Sequence, residues 1–151
     1  MADLPCMLMV DDNPADHQLI RLACDDAGLR VEQLAAYDGR QAQVLLQAMA
    51  AGKPAIALVL LDLNMPGIDG RQVLAWARAQ PPLRNLPILV LTSSQAPTDR
   101  RDALALGASG FLIKPGDYAG LVPIVERIRQ VLATTCNVPN ANSPPTGSDP
   151  G

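Results

Sequence analysis

The sequence IALVLLDLNMPGIDG (residues 56–70) decides the fold class, because it joins a wholly apolar stretch to an acidic residue and a turn. Its first six residues are continuously apolar, as expected for a strand that is buried on both faces of a sheet. Asp62 follows directly, and the proline and glycines after it are typical of turns. We therefore expect an α/β protein in which Asp62 ends an interior strand of a parallel sheet.

Other apolar stretches extend this pattern along the chain. They are residues 6–10, a weaker run at 31–34, 88–91 and 111–113. Apolar residues at helical spacing follow each strand, over residues 19–23, 44–49, 73–77, 98–106 and 117–133. Because each parallel connection needs a crossover helix, five strand-helix units predict a doubly wound, five-stranded parallel sheet with helices on both faces. We expect the strand order 2-1-3-4-5.

Polar side chains stand directly after four of these strands. They are Asp11 and Asp12 after the first, Asp62 after the third, Thr92 after the fourth and Lys114 after the fifth. The carboxyl ends of parallel strands meet at one edge of the sheet, where open α/β proteins bind their ligands. The sequence therefore predicts that these five residues form a single site.

The predicted site has the chemistry of phosphoryl transfer. Three converging carboxylates repel one another unless a cation joins them, and Mg²⁺ is a hard ion that prefers such oxygens. We expect Asp11, Asp12 and Asp62 to hold the metal with the backbone carbonyl of Asn64. Asp62 is the candidate nucleophile for an acyl phosphate. Thr92 and Lys114 would then contact the phosphoryl oxygens.

Four motifs give this chain a family resemblance. VDDNP (10–14), LLDLNMPGIDG (60–70), LVLTS (89–93) and GASGFLIKP (107–115) resemble the signatures of two-component response-regulator receiver domains, which have the flavodoxin-like, CheY-like fold. The resemblance spans residues 5–134. It implies that Asp11 and Asp12 are the acidic metal pair, Asp62 the phosphoacceptor and Asn64 the carbonyl ligand. It further implies that Thr92 is the switch hydroxyl, Phe111 the switch aromatic residue and Lys114 the phosphate-sensing lysine.

The same resemblance implies a function and partners. A single-domain response regulator would accept a phosphoryl group from a sensor histidine kinase and signal through protein contacts or a phosphorelay. It would not be an enzyme, apart from autocatalytic phosphoryl transfer and dephosphorylation at its own Asp62. PPLRNLPILVLTSS (81–94) resembles regulators associated with bacterial phytochrome kinases. The family commonly pairs through the face of helix 4, strand 5 and helix 5. Phe111, Leu121 and Val125 lie on or near that face, unless these apolar residues are only the core side of the helix.

Two other classes of protein remain as alternatives. An aspartyl-phosphate phosphohydrolase would need an Asp-x-Asp pair after strand 1, and usually a cap insertion. This chain has the adjacent Asp11 and Asp12, and short connections. A flavodoxin-like cofactor binder would need a Gly-rich phosphate loop after strand 1, where these two carboxylates would repel a phosphate in the absence of metal.

Composition excludes several other functions. The chain has 151 residues, 48% of them hydrophobic, and a net charge of -3 without a basic patch, which argues against nucleic-acid binding. Its N-terminus lacks a secretory pattern, and no apolar run approaches the ~18 residues of a membrane span, so we expect a cytoplasmic protein. We expect a receiver domain over residues 1–135 and a disordered tail over 136–151, which is rich in Pro, Ser and Asn. The single histidine, His17, is predicted to be partly exposed on the first helix.

Overall fold

The computed structural model describes residues 4–52 and 55–135. The expected tail, 136–151, lies outside the described residues. Five strands alternate with five helices. The strands are β1 (Cys6–Val10), β2 (Glu32–Ala36), β3 (Ile56–Leu61), β4 (Ile88–Thr92) and β5 (Gly110–Ile113). The helices are α1 (Pro14–Asp26), α2 (Gly39–Ala50), α3 (Gly70–Ala79), α4 (Pro97–Ala105) and α5 (Leu121–Thr135).

The sheet has the predicted topology. Its strand order is β2-β1-β3-β4-β5, and every neighbouring pair is parallel. The chain moves from β1 outward to β2 and then crosses to β3 on the other side of β1. The switch point of the topology therefore lies between β1 and β3, at the edge where Asp11 and Asp62 emerge.

Two hydrophobic clusters hold helices against the two faces of the sheet. Alternate residues of a strand point to opposite faces, and in β1 Leu8 and Val10 join one cluster while Met7 and Met9 join the other. The first cluster contains buried residues of α2, α3 and α4, and the second contains those of α1 and α5. All residues of β1 and β4 are buried, which confirms the prediction made from their continuous apolar sequences.

Helix termini follow the capping chemistry of the sequence. Asn13 caps α1 by accepting a bond from Ala15 N at 3.0 Å, and Asp38 caps α2 by accepting one from Gln41 N at 2.8 Å. Gly28 and Gly107 follow α1 and α4 with positive φ angles of 69° and 107°. That conformation favours glycine, so these residues end the two helices.

Two predicted boundaries were wrong. The last helix begins at Leu121 rather than near residue 117, because Asp117 instead caps a 3₁₀ turn over Tyr118–Gly120, where it accepts a bond from Gly120 N at 2.9 Å. The second strand is Glu32–Ala36, later than the predicted 31–34. It lies at the edge of the sheet and is only partly buried, so its sequence lacks the continuous apolar signal of the interior strands.

The start of α3 lies directly against the backbone that follows β3. A Cβ atom on Gly70 would lie 2.2 Å from the carbonyl oxygen of Asp62 and 2.7 Å from the Cα of Leu63. Gly70 N also donates a bond to the carbonyl of Leu63 at 3.1 Å. Only glycine allows this approach, so α3 and the segment that carries Asp62 are held as one unit.

Gly70→Ala should therefore destabilise the protein by about 1–3 kcal/mol, since the methyl group has no room unless backbone moves. Gly116→Ala is the matched control, because nothing lies within 4 Å of a Cβ at Gly116. Denaturant unfolding followed by circular dichroism measures both variants. Equal stability of the two would mean that the close approach at Gly70 is not a constraint.

Candidate functional site

The carboxyl edge of the sheet brings the predicted residues together. Asp11 and Asp62 continue β1 and β3, because Asp11 N donates to Ala36 O at 3.0 Å and Asp62 N donates to Val10 O at 2.9 Å. At the other side of β3, Lys114 N donates to the carbonyl of Thr92 at 2.8 Å. Each of these backbone bonds extends the parallel ladder by one residue, and so places its side chain at the same edge.

Asp11 is fixed on both its backbone and its side chain. Its side chain is 1% exposed, and Oδ1 accepts a bond from Asn13 N at 2.9 Å. Its backbone carbonyl accepts a bond from Nε2 of His17 at 2.8 Å. The carboxylate is therefore held in one orientation before any ligand arrives.

His17 departs from the sequence prediction. The residue is 3% exposed, not partly exposed, and its ring packs against Tyr37 with 4.7 Å between ring centroids. Burial follows from its position near the start of α1, where the ring meets the carbonyl of Asp11, the first residue after β1. Sequence reasoning missed this contact because the polar neighbours of His17 along α1 make the position resemble a solvent-facing one.

Asp62 is buried and stands between an amide and an ammonium group. The residue is 5% exposed. Its Oδ1 accepts a bond from Asn64 N at 3.1 Å, and its Oδ2 accepts one from Lys114 Nζ at 3.2 Å. The side chain thus points across the end of the sheet toward β5.

Lys114 is the positive centre of the site. Its Nζ lies 2.7 Å from Asp11 Oδ2, 2.8 Å from Asp16 Oδ2 and 3.2 Å from Asp62 Oδ2. The side chain is 18% exposed, so these ion pairs are partly sheltered from water. Asp16 was not predicted, because an acidic residue in the first turn of a helix is ordinary helix chemistry and gives no sign of a distant partner.

In both Asp11 and Lys114, burial and hydrogen bonding change the pKa in opposite directions, and in both the net result is a raised pKa. Burial raises the pKa of Asp11, which outweighs the lowering by its hydrogen bonds to Lys114 and Asn13. For Lys114, burial alone would lower the pKa, but the hydrogen bonds to Asp11 and Asp16 and the charges of Asp62 and Asp11 raise it above its usual range. An acid with a raised folded-state pKa makes folding less favourable as pH rises and the acid ionises, so ionisation of Asp11 disfavours the fold. The raised pKa of Lys114 favours the fold at neutral pH, and this contribution is lost only in strong alkali.

Thr92 and Phe111 lie on the β4 and β5 side of this centre. Thr92 is 0% exposed, and its Oγ1 accepts bonds from Ser94 N at 3.4 Å and from Asn64 Nδ2 at 3.5 Å. Phe111 is partly buried against the cluster that includes α4, with the guanidinium of Arg100 6.0 Å from its ring centroid. The hydroxyl is therefore near the site, whereas the aromatic ring lies under α4.

Three carboxylates meet in a way that suits a divalent cation. One oxygen atom from each of Asp11, Asp12 and Asp62 lies within 4.8 Å of the others. Asp12 is exposed and the other two are buried, so the cluster opens to solvent through Asp12. Carboxylate oxygens are the ligands that small, hard cations prefer, and they fit such an ion here.

The fold and the site together define the class: a doubly wound α/β protein with an acidic, lysine-containing site at its switch point. A family model described as "Response regulator receiver domain" matches residues 7–126. The chain is 31% identical over 137 residues to the response regulator Rcp1 of Synechocystis sp., a match that covers 89% of this chain and 93% of Rcp1.

Solved structures agree with the family match. The phosphorylated cyanobacterial phytochrome response regulator RcpA is similar with a TM-score of 0.77 and 29% identity, covering 95% of this chain and 100% of RcpA. The Mn²⁺-bound form of Rcp1 has a TM-score of 0.73 and 29% identity, covering 93% of this chain and 99% of that one.

The chain therefore belongs to the response regulator receiver domain family. Receiver domains bind a divalent metal, and membership of the family implies a sensor histidine kinase as partner. The family match decides against the phosphohydrolase and the flavodoxin-like cofactor binder. Within residues 4–52 and 55–135 there is no catalytic effector domain. None of the helices in that part of the chain has the length and apolar character of a membrane span.

Asp12→Ala should weaken the binding of a divalent cation, because it removes one carboxylate from the cluster and reduces the negative field that attracts the ion. We expect a loss of at least about tenfold, which even an outer-shell partner of a metal can cause. Asp25→Ala is the matched control, since it removes the same charge from an exposed residue of α1. Calorimetric titration measures both variants, and equal affinity would contradict the metal assignment.

Proposed function

We propose that this protein is a single-domain response regulator that accepts a phosphoryl group on Asp62 with Mg²⁺ as cofactor. The observation that carries the proposal is the convergence of Lys114 and the three carboxylates at the switch point of the sheet. The match along 93% of Rcp1 supports a regulator made of one receiver domain, over the residues 1–135 predicted from the sequence.

Asp62 is the best nucleophile of the three carboxylates. Asp11 is almost fully buried, and both of its oxygens already face positive or N–H groups. Asp12 is exposed at the rim of the cluster. Asp62 ends the middle strand of the sheet, within reach of β1 on one side and of Lys114 on the other. Asp62 therefore lies beside the other two carboxylates of the metal cluster and beside the Lys114 ammonium group, which can follow the phosphoryl group.

The transfer step needs positioning and charge neutralisation more than proton transfer. An oxygen of Asp62 attacks the phosphorus atom of the kinase phosphohistidine, the new P–O bond forms, and the P–N bond breaks with its electron pair left on the imidazole. Lys114 can then move its hydrogen bond from Asp62 Oδ2 to a phosphoryl oxygen, and the hydroxyl of Thr92 can donate to another. A bound Mg²⁺, held by Asp11, Asp12, Asp62 and the carbonyl of Asn64, would neutralise negative charge on the transferring group.

The phosphoryl donor of this proposal is a bacterial phytochrome kinase. Its support is the similarity to RcpA, a cyanobacterial phytochrome response regulator, along the full length of RcpA. The proposal places the protein in the cytoplasm, where ATP supplies such kinases.

Output would pass through the face formed by α4, β5 and α5, by pairing with a second copy or by binding a target. Leu121 and Val125, placed near this face by the sequence, are 7% and 1% exposed and belong to the core, so they cannot form the contact. Exposed apolar side chains on these elements are better candidates. They are Leu104 at 42%, Ile113 at 44% and Val122 at 63% exposed.

Thr92 would link the site to that face. A phosphoryl oxygen that draws the Thr92 hydroxyl inward would break its contacts with Ser94 N and Asn64 Nδ2. Ser94 Oγ and the Arg71 guanidinium both bond to Asp99 of α4, so a shift in this segment reaches α4 directly. Phe111 lies beneath α4 and could occupy the space that opens, a small two-state change.

Asp62→Asn should abolish phosphoryl uptake with little loss of stability, because the amide keeps the size of the side chain but is not a nucleophile. Incubation with acetyl phosphate and Mg²⁺, followed by intact-mass measurement, tests this. Asp102→Asn, an exposed change on α4, is the control and should take up one phosphoryl group like the wild type.

The same assay can use an autophosphorylated kinase as donor. Transfer to the wild type should be faster from a bacterial phytochrome kinase than from an unrelated histidine kinase. Wild-type levels of label in Asp62→Asn would place the nucleophile elsewhere, and equal rates from both kinases would remove support for the phytochrome partner.

Thr92→Ala should uncouple phosphorylation from output while leaving phosphoryl uptake in place, because the Thr92 hydroxyl contacts a phosphoryl oxygen but Asp62 is the nucleophile. We expect beryllofluoride, an acyl-phosphate mimic, to promote association of the wild type in light scattering and to do so much less in Thr92→Ala. Thr92→Ser keeps the hydroxyl and should behave as the wild type. An association state that beryllofluoride leaves unchanged in all three proteins would contradict the proposed output.

A further inference from the structure

A fourth carboxylate lies at the site without belonging to the metal cluster. Asp16 Oδ2 is 2.8 Å from Lys114 Nζ, and the Asp16 side chain is 25% exposed. The carboxylates that could hold a metal together are Asp11, Asp12 and Asp62. Asp16 therefore acts on the site through Lys114, not through a bound metal ion.

Helix capping does not account for the orientation of Asp16. An acid at the third helical position commonly reaches back to the N–H of the N-cap residue. Here the N–H of the N-cap residue Asn13 already donates to Asp11 Oδ1 at 2.9 Å. The Asp16 carboxylate instead accepts a bond from Lys114, 98 residues later in the chain. The partner of Asp16 is thus the Lys114 ammonium group and not the backbone of its own helix.

Three carboxylates surround the ammonium group of Lys114, which donates hydrogen bonds to Asp16 and Asp62 and forms an ion pair with Asp11. An ammonium has three N–H donors, and Asp11, Asp16 and Asp62 each place an oxygen within 3.2 Å of Nζ. In the proposed function Asp11 also binds the metal, and Asp62 becomes the acyl phosphate. Asp16 has neither task, so it is the partner that holds Lys114 throughout the cycle.

The charge balance of the site follows from this contact. Asp11, Asp12 and Asp62 carry three negative charges, which a divalent cation and Lys114 together neutralise. Asp16 adds one negative charge beyond that balance. Like charges repel more strongly in a partly buried site than in water, so a phosphoryl group on Asp62 meets this excess charge at short range.

We propose that Asp16 is a positioning residue that holds Lys114 and limits how tightly the site retains a phosphoryl group. The inference rests on the function proposed above and concerns the regulation of the same site. By competing for the ammonium group, Asp16 raises the free energy of the phosphorylated form relative to the free form. A regulator with this residue passes on or loses its phosphoryl group more readily than one without it.

Asp16→Asn tests the inference, because it keeps the size of the side chain and an oxygen acceptor for Lys114 but removes the charge. Calorimetric titration with beryllofluoride at saturating Mg²⁺ should show that the variant binds the mimic about three- to tenfold more tightly than the wild type, as expected for removal of one nearby like charge. Asp16→Glu restores the charge and should return affinity toward the wild-type value. Asp25→Asn, an exposed change near the end of α1, should leave it unchanged.

Two further readouts separate an electrostatic role from a merely structural one. The difference between wild type and Asp16→Asn should narrow as salt concentration rises, because salt screens the charge of a partly exposed group. At a fixed concentration of acetyl phosphate, Asp16→Asn should also accumulate a larger phosphorylated fraction in intact-mass spectra.

The outcomes distinguish this inference from the proposed function. If the wild type binds beryllofluoride and takes up phosphoryl mass, but Asp16→Asn binds the mimic equally or more weakly, the role of Asp16 is wrong and the function stands. If the wild type does neither in the presence of Mg²⁺, the proposed function fails and this inference fails with it.

Discussion

The contact between the Lys114 ammonium and the carboxylates around it is the interaction on which this site depends. Four acidic side chains converge at one end of the sheet, and two of them, Asp11 and Asp62, are buried. Carboxylates whose oxygens lie within 4.8 Å of one another would oppose folding if they were unpaired. Burial adds to this cost, since it raises the pKa of Asp11 and so disfavours its ionised form. One lysine at the end of β5 offsets part of that repulsion. The negative charge that Lys114 leaves unneutralised attracts a divalent cation to the site.

The sheet supplies the geometry that this interaction requires. Asp11, Asp62 and Lys114 are far apart in sequence, and each occupies the first position after a strand. Parallel pairing in the order β2-β1-β3-β4-β5 puts those positions at one edge without any long loop to carry them. Precision comes from the backbone bonds that extend the ladder by one residue, and from Gly70, which fixes the segment after β3 against α3.

The sequence was sufficient to predict the elements that rest on strong local signals. Interior strands such as β1 and β3 are continuously apolar, so their bounds and the residues after them could be predicted directly. The edge strand β2 and the start of α5 were misplaced, because a partly exposed strand and a polar turn before a helix have weaker patterns. His17 and Asp16 were missed for a different reason. Their partners, the Asp11 carbonyl and the Lys114 ammonium, are specified by tertiary packing and not by neighbours in sequence.

The two hydrophobic clusters on opposite faces of the sheet have a consequence for engineering. They contain different side chains, since alternate residues of each strand point to different faces. Packing changes in the layer of α1 and α5 should therefore combine additively with changes in the layer of α2, α3 and α4. The backbone of the sheet acts as a partition between two independently designable halves. A protein designer could change the apolar side chains of one layer while Asp16 and His17 of α1 and Gly70 of α3, which hold the acidic edge, stay in place.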